Sequence, residues 1–332
     1  MKNSSSSSSN MKSLYFQFTL FTDQGSLRYL FFSLCLLLYM TIVSANLAII
    51  LAVCLEKSLH HQPMYIFICC LSCNSLYGSV GFFPRFLMDV ISDTHLIPQT
   101  ACFIQIYIIY SYLGNELTLL TVMAYDRLVA ICQPLHYHRK MTGRKVACLI
   151  FVSWLYPAFN MSVCVYKVSR IPLCGNKLNR VFCTNWPVVQ LSCEDTTVMN
   201  ILGGVSSVVS VSIPLTFVLF TYLRILLVCR RSSSEFRGKA LQTCVPHIVT
   251  FVNYCVTVFC EMSLTRYKVT EKNTLFVVVL SLECLIVPPI NNPLVYGLSL
   301  PQIRGVIFRG VRVFRKVSAG KQKIHREQEH LK

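Results

Sequence analysis

Between Cys102 and Cys132 the chain reads CFIQIYIIYSYLGNELTLLTVMAYDRLVAIC. A single acid, Glu116, interrupts an otherwise uncharged run, which closes on the adjacent pair Asp126-Arg127. As a helix rising about 1.5 Å per residue, it separates Cys102 from Arg127 by roughly 38 Å, enough to cross a hydrocarbon core about 30 Å thick. Cys102, Gln105, Ile109, Leu113, Glu116, Leu120 and Arg127 then mark one stripe of that helix, facing its neighbours. Charges at mid-bilayer are costly, so a pair at the end of a span is either an anchor at the membrane surface or a lock that another event opens. This stretch alone leaves both readings open.

The composition agrees with a lipid environment. Of 332 residues, 54% are hydrophobic and 14% charged, against about 25% charged in an ordinary soluble domain. The mean hydropathy is +0.53. So much apolar surface excludes a water-soluble enzyme and, for most of the chain, disorder. The net charge of +17 in so apolar a chain points to anionic lipid headgroups before nucleic acid.

Seven apolar runs are long enough to span a bilayer: 29–55, 63–88, 101–131, 146–166, 198–229, 243–264 and 273–298. The fold class expected is an all-α membrane protein, a seven-helix bundle. Its proline-bearing spans are tolerable as kinks, and the short alternating segments of a β-barrel are absent from the sequence. Residues 1–28, with the serine tract 4–9, read as an extracellular tail, 29–298 as the membrane domain, and 299–332 as a cytoplasmic segment. That orientation puts the majority of the Lys and Arg residues inside. It also leaves the sequon Asn3-Ser4-Ser5 outside as a glycosylation acceptor. After the seventh run, Ile303, Val306, Ile307, Val311 and Phe314 alternate with Arg304, Arg309, Arg312 and Arg315, the pattern of an amphipathic helix on the inner leaflet.

Four cysteines, Cys102, Cys174, Cys183 and Cys193, fall in or beside outer segments. An oxidising exterior favours pairing, and spacing alone leaves three connectivities open. Metal-protease His pairs, phosphate-binding glycine loops and nucleophile elbows are missing from the sequence, so neither an enzyme nor a metal or cofactor is expected.

The motifs, in order, resemble one family. Met123-Ala124-Tyr125-Asp126-Arg127 is followed by Pro134-Leu135-His136-Tyr137. Pro63-Met64-Tyr65 opens the second run, Tyr222 with Ile225-Leu226 closes the fifth, and Lys239-Ala240, Thr243-Cys244 and His247 enter the sixth. Pro289-Ile290-Asn291-Asn292-Pro293-Leu294-Val295-Tyr296 closes the seventh. The set resembles the olfactory receptors, rhodopsin-like seven-helix receptors that signal through G proteins, and most of all those of fishes.

The resemblance implies several roles. Arg127 pairs with Asp126 at rest and is released into a cleft that Tyr222 and Tyr296 help hold open for a heterotrimeric G protein of the olfactory, stimulatory type. Lys239 at the mouth of that cleft and the Asn292-Pro293 turn, where proline removes a backbone donor, belong to the same switch. The disulfides implied are Cys102–Cys183 and Cys174–Cys193. An odorant is expected between the outer halves of the third, fifth, sixth and seventh helices. Its candidate contacts are Ile109, Tyr110, Leu113 and Gly114, then Ser206, Ser207 and Ser210, then Val258, Phe259 and Met262.

Two departures from the family pattern stand out, and one absence sets the chain apart from a neighbouring class. Asn74-Ser75 occupies the place of an Asp opposite Glu116, leaving Ser75 as the expected partner and sodium binding in doubt. Cys255 replaces a ligand-sensing Tyr, a role neighbouring Tyr254 can take. Amine receptors of this fold carry a carboxylate where Ile109 stands, which argues against an amine salt bridge there. The alternative, a transporter or channel, would call for an internal repeat and more intramembrane charge than Glu116, Glu261 and Glu283 supply.

Overall fold

The computed structural model describes residues 14–21, 25, 27–264 and 274–309, without the side chains of 239, 262–264, 274–277, 298 and 299. Seven long helices follow one another: α1 (Leu27–Leu55), α2 (Pro63–Ile91), α3 (Gln99–Cys132), α4 (Gly143–Ser169), α5 (Thr197–Arg230), α6 (Ser234–Leu264) and α7 (Thr274–Ser299). Six of them are long and apolar enough to cross a membrane. The exception is α3, the 34-residue central helix, whose polar residues face protein rather than lipid. Asn115, Glu116 and Asp126 are all buried there.

Proline stands inside these helices without ending them, and at two positions a neighbouring helix satisfies the carbonyl it orphans. Proline has no N–H to donate to the carbonyl four residues earlier. Pro157 thus frees the Ser153 carbonyl, which accepts from the Thr118 hydroxyl of α3 at 2.8 Å. Pro293 frees the Pro289 carbonyl, which accepts from Asn46 Nδ2 of α1 at 2.9 Å. Each of these two prolines thereby makes room for an interhelical bond. Glycine brings other helices close: a Cβ at Gly78 of α2 would lie 2.5 Å from the Tyr112 ring of α3.

The helix ends differ from the hydropathy limits by a few residues, except at α6. This helix begins at Ser234, so Arg237 and Lys239 lie on it. Its first turns are polar, which hides them from an apolar-run reading, yet they are well started. Ser233 Oγ accepts from the Phe236 N–H at 3.3 Å, and Glu235 stands in the first turn where the helix dipole favours an acid.

One end of the bundle is covered by a three-stranded sheet of order β2-β1-β3: β1 (Tyr15–Phe18), β2 (Leu96–Pro98) and β3 (Lys177–Leu178). Strand β1 runs antiparallel to β2 and parallel to β3. It turns Phe16 and Phe18 into a small core with Ile97, Cys102, Leu178 and Cys183. Both implied disulfides, Cys102–Cys183 and Cys174–Cys193, are formed at this end. The first pins the segment 180–184 between the helices, where Arg180, Val181, Phe182, Cys183 and Thr184 are all buried.

At the opposite end, residues 301–309 are helical. Ile303 is buried and Val306 and Ile307 pack against the bundle, the apolar face expected. Gln302 Oε1 accepts from the Tyr65 hydroxyl at 2.7 Å, and Arg309 pairs with Glu56 at 3.2 Å. The rest of the amphipathic segment lies outside the described residues, as do Asn3 and the side chains of Lys239 and Met262.

Candidate functional site

Two contiguous cavities lie between α3, α4, α5 and α6. One, of about 370 Å³, opens toward the disulfide end and is bordered by Lys167, Asn185 and Met199. The other, of about 340 Å³, lies deeper, among Leu113, Gly114, Leu117, Pro157, Ser210, Tyr254 and Val258. Tyr110, Asn160, Ser206, Ser207 and Glu261 border both. The walls are mostly apolar with a few convergent polar groups, the usual make-up of a small-molecule site.

Six of the expected contacts line these cavities along with Gly114: Tyr110, Leu113, Ser206, Ser207, Ser210 and Val258. Gly114 has a second use, since a Cβ there would stand 2.7 Å from Pro157 and push α3 off α4. Two expected contacts are placed elsewhere. Ile109 is 1% exposed, sealed in the core, and borders neither cavity. Phe259 is 72% exposed on the outside of the bundle, because one residue beyond Val258 turns a helix by about 100°.

The cavity walls also differ from expectation. Helix α4 supplies Tyr156, Pro157, Asn160 and Met161, while α7 supplies none of the lining among the described residues. Asn160 is therefore a lining residue within a helix. Tyr254, proposed as the substitute where Cys255 stands, lines the deeper cavity and donates its hydroxyl to the Leu113 carbonyl at 2.5 Å.

Below the cavities α3 is tied to α2, α6 and α7. Glu116 is fully buried and both its oxygens accept from amides. Asn74 Nδ2 of α2 reaches Oε2 at 2.9 Å, and Asn292 Nδ2 of α7 reaches Oε1 at 2.7 Å. The expectation of Ser75 alone opposite Glu116 is corrected here. Asn74 is the direct partner, and the Ser75 hydroxyl is reached only by Asn292, at 3.4 Å. One turn lower, His247 Nε2 of α6 bonds the Leu120 carbonyl at 2.9 Å while its Nδ1 meets the Tyr222 hydroxyl of α5. Three helices meet at one imidazole.

At the end opposite the disulfides Arg127 is paired with Asp126, two guanidinium nitrogens reaching one carboxylate oxygen. The other oxygen, Oδ1, accepts from the Tyr137 hydroxyl at 2.7 Å. Burial, and then the charge of Asp126, push the Tyr137 phenol well above its usual range, so it remains a donor. Tyr125 accepts from Lys145 Nζ of α4 at 2.8 Å, with the ammonium over its ring. Tyr137 stands 11 residues beyond Asp126, but α3 ends at Cys132, so the contact is made across a turn that no helical spacing in the sequence announces. Arg127, His247 and Tyr296 border a small common void beneath the bundle.

Comparison with known proteins places this architecture in a class. The crystal structure of squid rhodopsin superposes with a TM-score of 0.67 over 85% of this chain and 79% of that one, at 18% identity. The fold is that of the rhodopsin-like seven-helix receptors. The profile described as "Olfactory receptor" matches residues 34–313. Human olfactory receptor 6N1 is 33% identical over 292 residues, 87% of this chain and 92% of the relative. Mouse olfactory receptor 5M5 is 31% identical over 293 residues, 88% and 91% of the two chains. The chain belongs to the olfactory receptor family, whose members are odorant receptors and signalling proteins, not enzymes. The transporter or channel alternative finds no support in these matches.

Proposed function

We propose that this receptor lies in the plasma membrane with residues 1–28 outside and 299–332 in the cytoplasm, with Asn3 as a glycosylation site. It binds a small-molecule odorant in the paired cavities and activates a heterotrimeric G protein of the stimulatory, olfactory type. Its nearer likeness to the receptors of fishes is part of this proposal and rests on the motif set. The observation that carries the mechanism is the course of α3. The same helix lends Tyr110, Leu113 and Gly114 to the cavities and Asp126 and Arg127 to the opposite end. Between them Glu116 and Leu120 bind α2, α6 and α7. A ligand that shifts α3 against α6 strains the His247 and Tyr254 bonds first, and these restrain the opening in which Arg127, Tyr222, Asn292, Pro293 and Tyr296 take part. Lys239, on α6 at the same mouth, adds positive charge toward the G protein.

The test is a cyclic-AMP reporter in cells, comparing wild type with Arg127→Ala across odorant mixtures at matched surface expression. A response lost in the variant supports coupling through Arg127. A response that survives the substitution counts against this switch.

A further inference from the structure

The acids singled out in the α6 and α7 sequences, Glu261 and Glu283, take no part in the switch. Glu283 accepts from the Thr257 hydroxyl at 2.9 Å and borders neither ligand cavity. Glu261 is different. It is 4% exposed, borders both cavities, and accepts from the Tyr110 hydroxyl at 3.1 Å. A carboxylate offers about four acceptor sites, and a buried one is costly unless it is bonded and opposed by positive charge. Among the described residues, two cations stand in its neighbourhood. Lys167 is exposed at the rim. Arg180 feels the charge of Glu261 from the buried loop, where burial lowers its own affinity for a proton, but it lines neither cavity.

Resting on the reading of these cavities as the ligand site, we propose that Glu261 is its head-group receptor, with Tyr110 as the residue that orients it. The ligand class assigned is the small primary amine. Its ammonium donates to Glu261 at the junction of the two cavities, and its hydrocarbon body lies along Leu113, Leu117 and Val258 in the deeper one. Position 109, where the carboxylate of amine receptors would stand, is closed by a sealed isoleucine. The sixth helix supplies the charge from the opposite wall. A charge-assisted bond is about twice as strong as a neutral one, so an alcohol binds more weakly than the amine, and a carboxylic acid is repelled.

Binding is measured on the purified full-length receptor by the ligand-induced rise in its melting temperature. The probes are hexylamine, hexanol and hexanoic acid, together with straight-chain primary amines of neighbouring length and phenethylamine. At least one amine is expected to stabilise the wild type at lower concentration than its matching alcohol, with the acid inert. Glu261→Gln should weaken amine binding by about tenfold or more and leave the alcohol within about threefold. Tyr110→Phe should weaken the amine less, and it carries the comparison if E261Q does not fold. Absence of stabilisation by every amine overturns the assignment, as does equal amine binding by wild type and both variants, or an acid that binds as well as its amine. Because binding is read without a G protein, amine binding with no cyclic-AMP response supports the head-group assignment and counts against the coupling reading instead.

Discussion

At the scale of single residues, the Asp126 carboxylate is held from two sides, by Arg127 and by Tyr137. Removing the phenol hydroxyl takes away a bond to a charged group, worth about 1.5–3 kcal/mol, from the arrangement proposed to keep Arg127 at rest. Tyr137→Phe is therefore expected to raise ligand-independent cyclic AMP several-fold at equal surface expression; an unchanged basal level would place Tyr137 outside the lock. Glu116 presents the opposite case, a buried acid whose two oxygens depend on Asn74 and Asn292. Asn74→Leu strips one donor from a buried carboxylate and should cost about 1–3 kcal/mol or more, measured as a lower melting temperature of the purified receptor. A melting temperature equal to wild type would mean that the Asn74 bond is not holding the acid.

At the scale of elements, two of the interhelical bonds use carbonyls that proline leaves free. Thr118→Val keeps the side-chain volume but leaves the Ser153 carbonyl without the hydroxyl that now serves it. A loss of about 1–3 kcal/mol is expected, and Pro157→Ala in the same chain should recover much of it by restoring an internal donor. A double-mutant cycle on melting temperature reads this directly, and additive losses would refute the pairing. The α3–α4 approach at Gly114 is the complementary case. Gly114→Ala should reduce the deeper cavity and lower ligand potency, because Pro157 belongs to backbone that cannot yield as the end of a flexible side chain does.

Across the whole molecule, the two disulfides close loops of very different length, with separations of 81 and 19 residues. In the chain-entropy account the longer closure contributes about 1 kcal/mol more. It also holds the buried segment 180–184 against the cavity-bearing end. Cys102→Ser is therefore expected to abolish surface expression where Cys174→Ser only reduces it. Equal losses would show that the second loop is as necessary to the fold as the first. The N-terminal strand works at this scale too, since Phe16 and Phe18 fill the core that contains the first disulfide.

Much of this was legible in the chain itself. Bilayer thickness and the cost of unpaired backbone in lipid turn seven apolar runs into seven helices. The Asp126-Arg127 pair and the ordered motifs identify the family because they lie at fixed places in local sequence. What the tertiary structure decided are relations across distance and rotation. No local pattern announces that Asn74 rather than Ser75 meets Glu116, that Tyr137 folds back on Asp126, or that α4 walls the cavities. Val258 and Phe259 are adjacent in sequence, yet one lines the pocket and the other faces outward. Hydrophobicity sets which segments enter the membrane, whereas helix rotation and close packing, set by neighbours such as Gly114 against Pro157, determine which side chains meet.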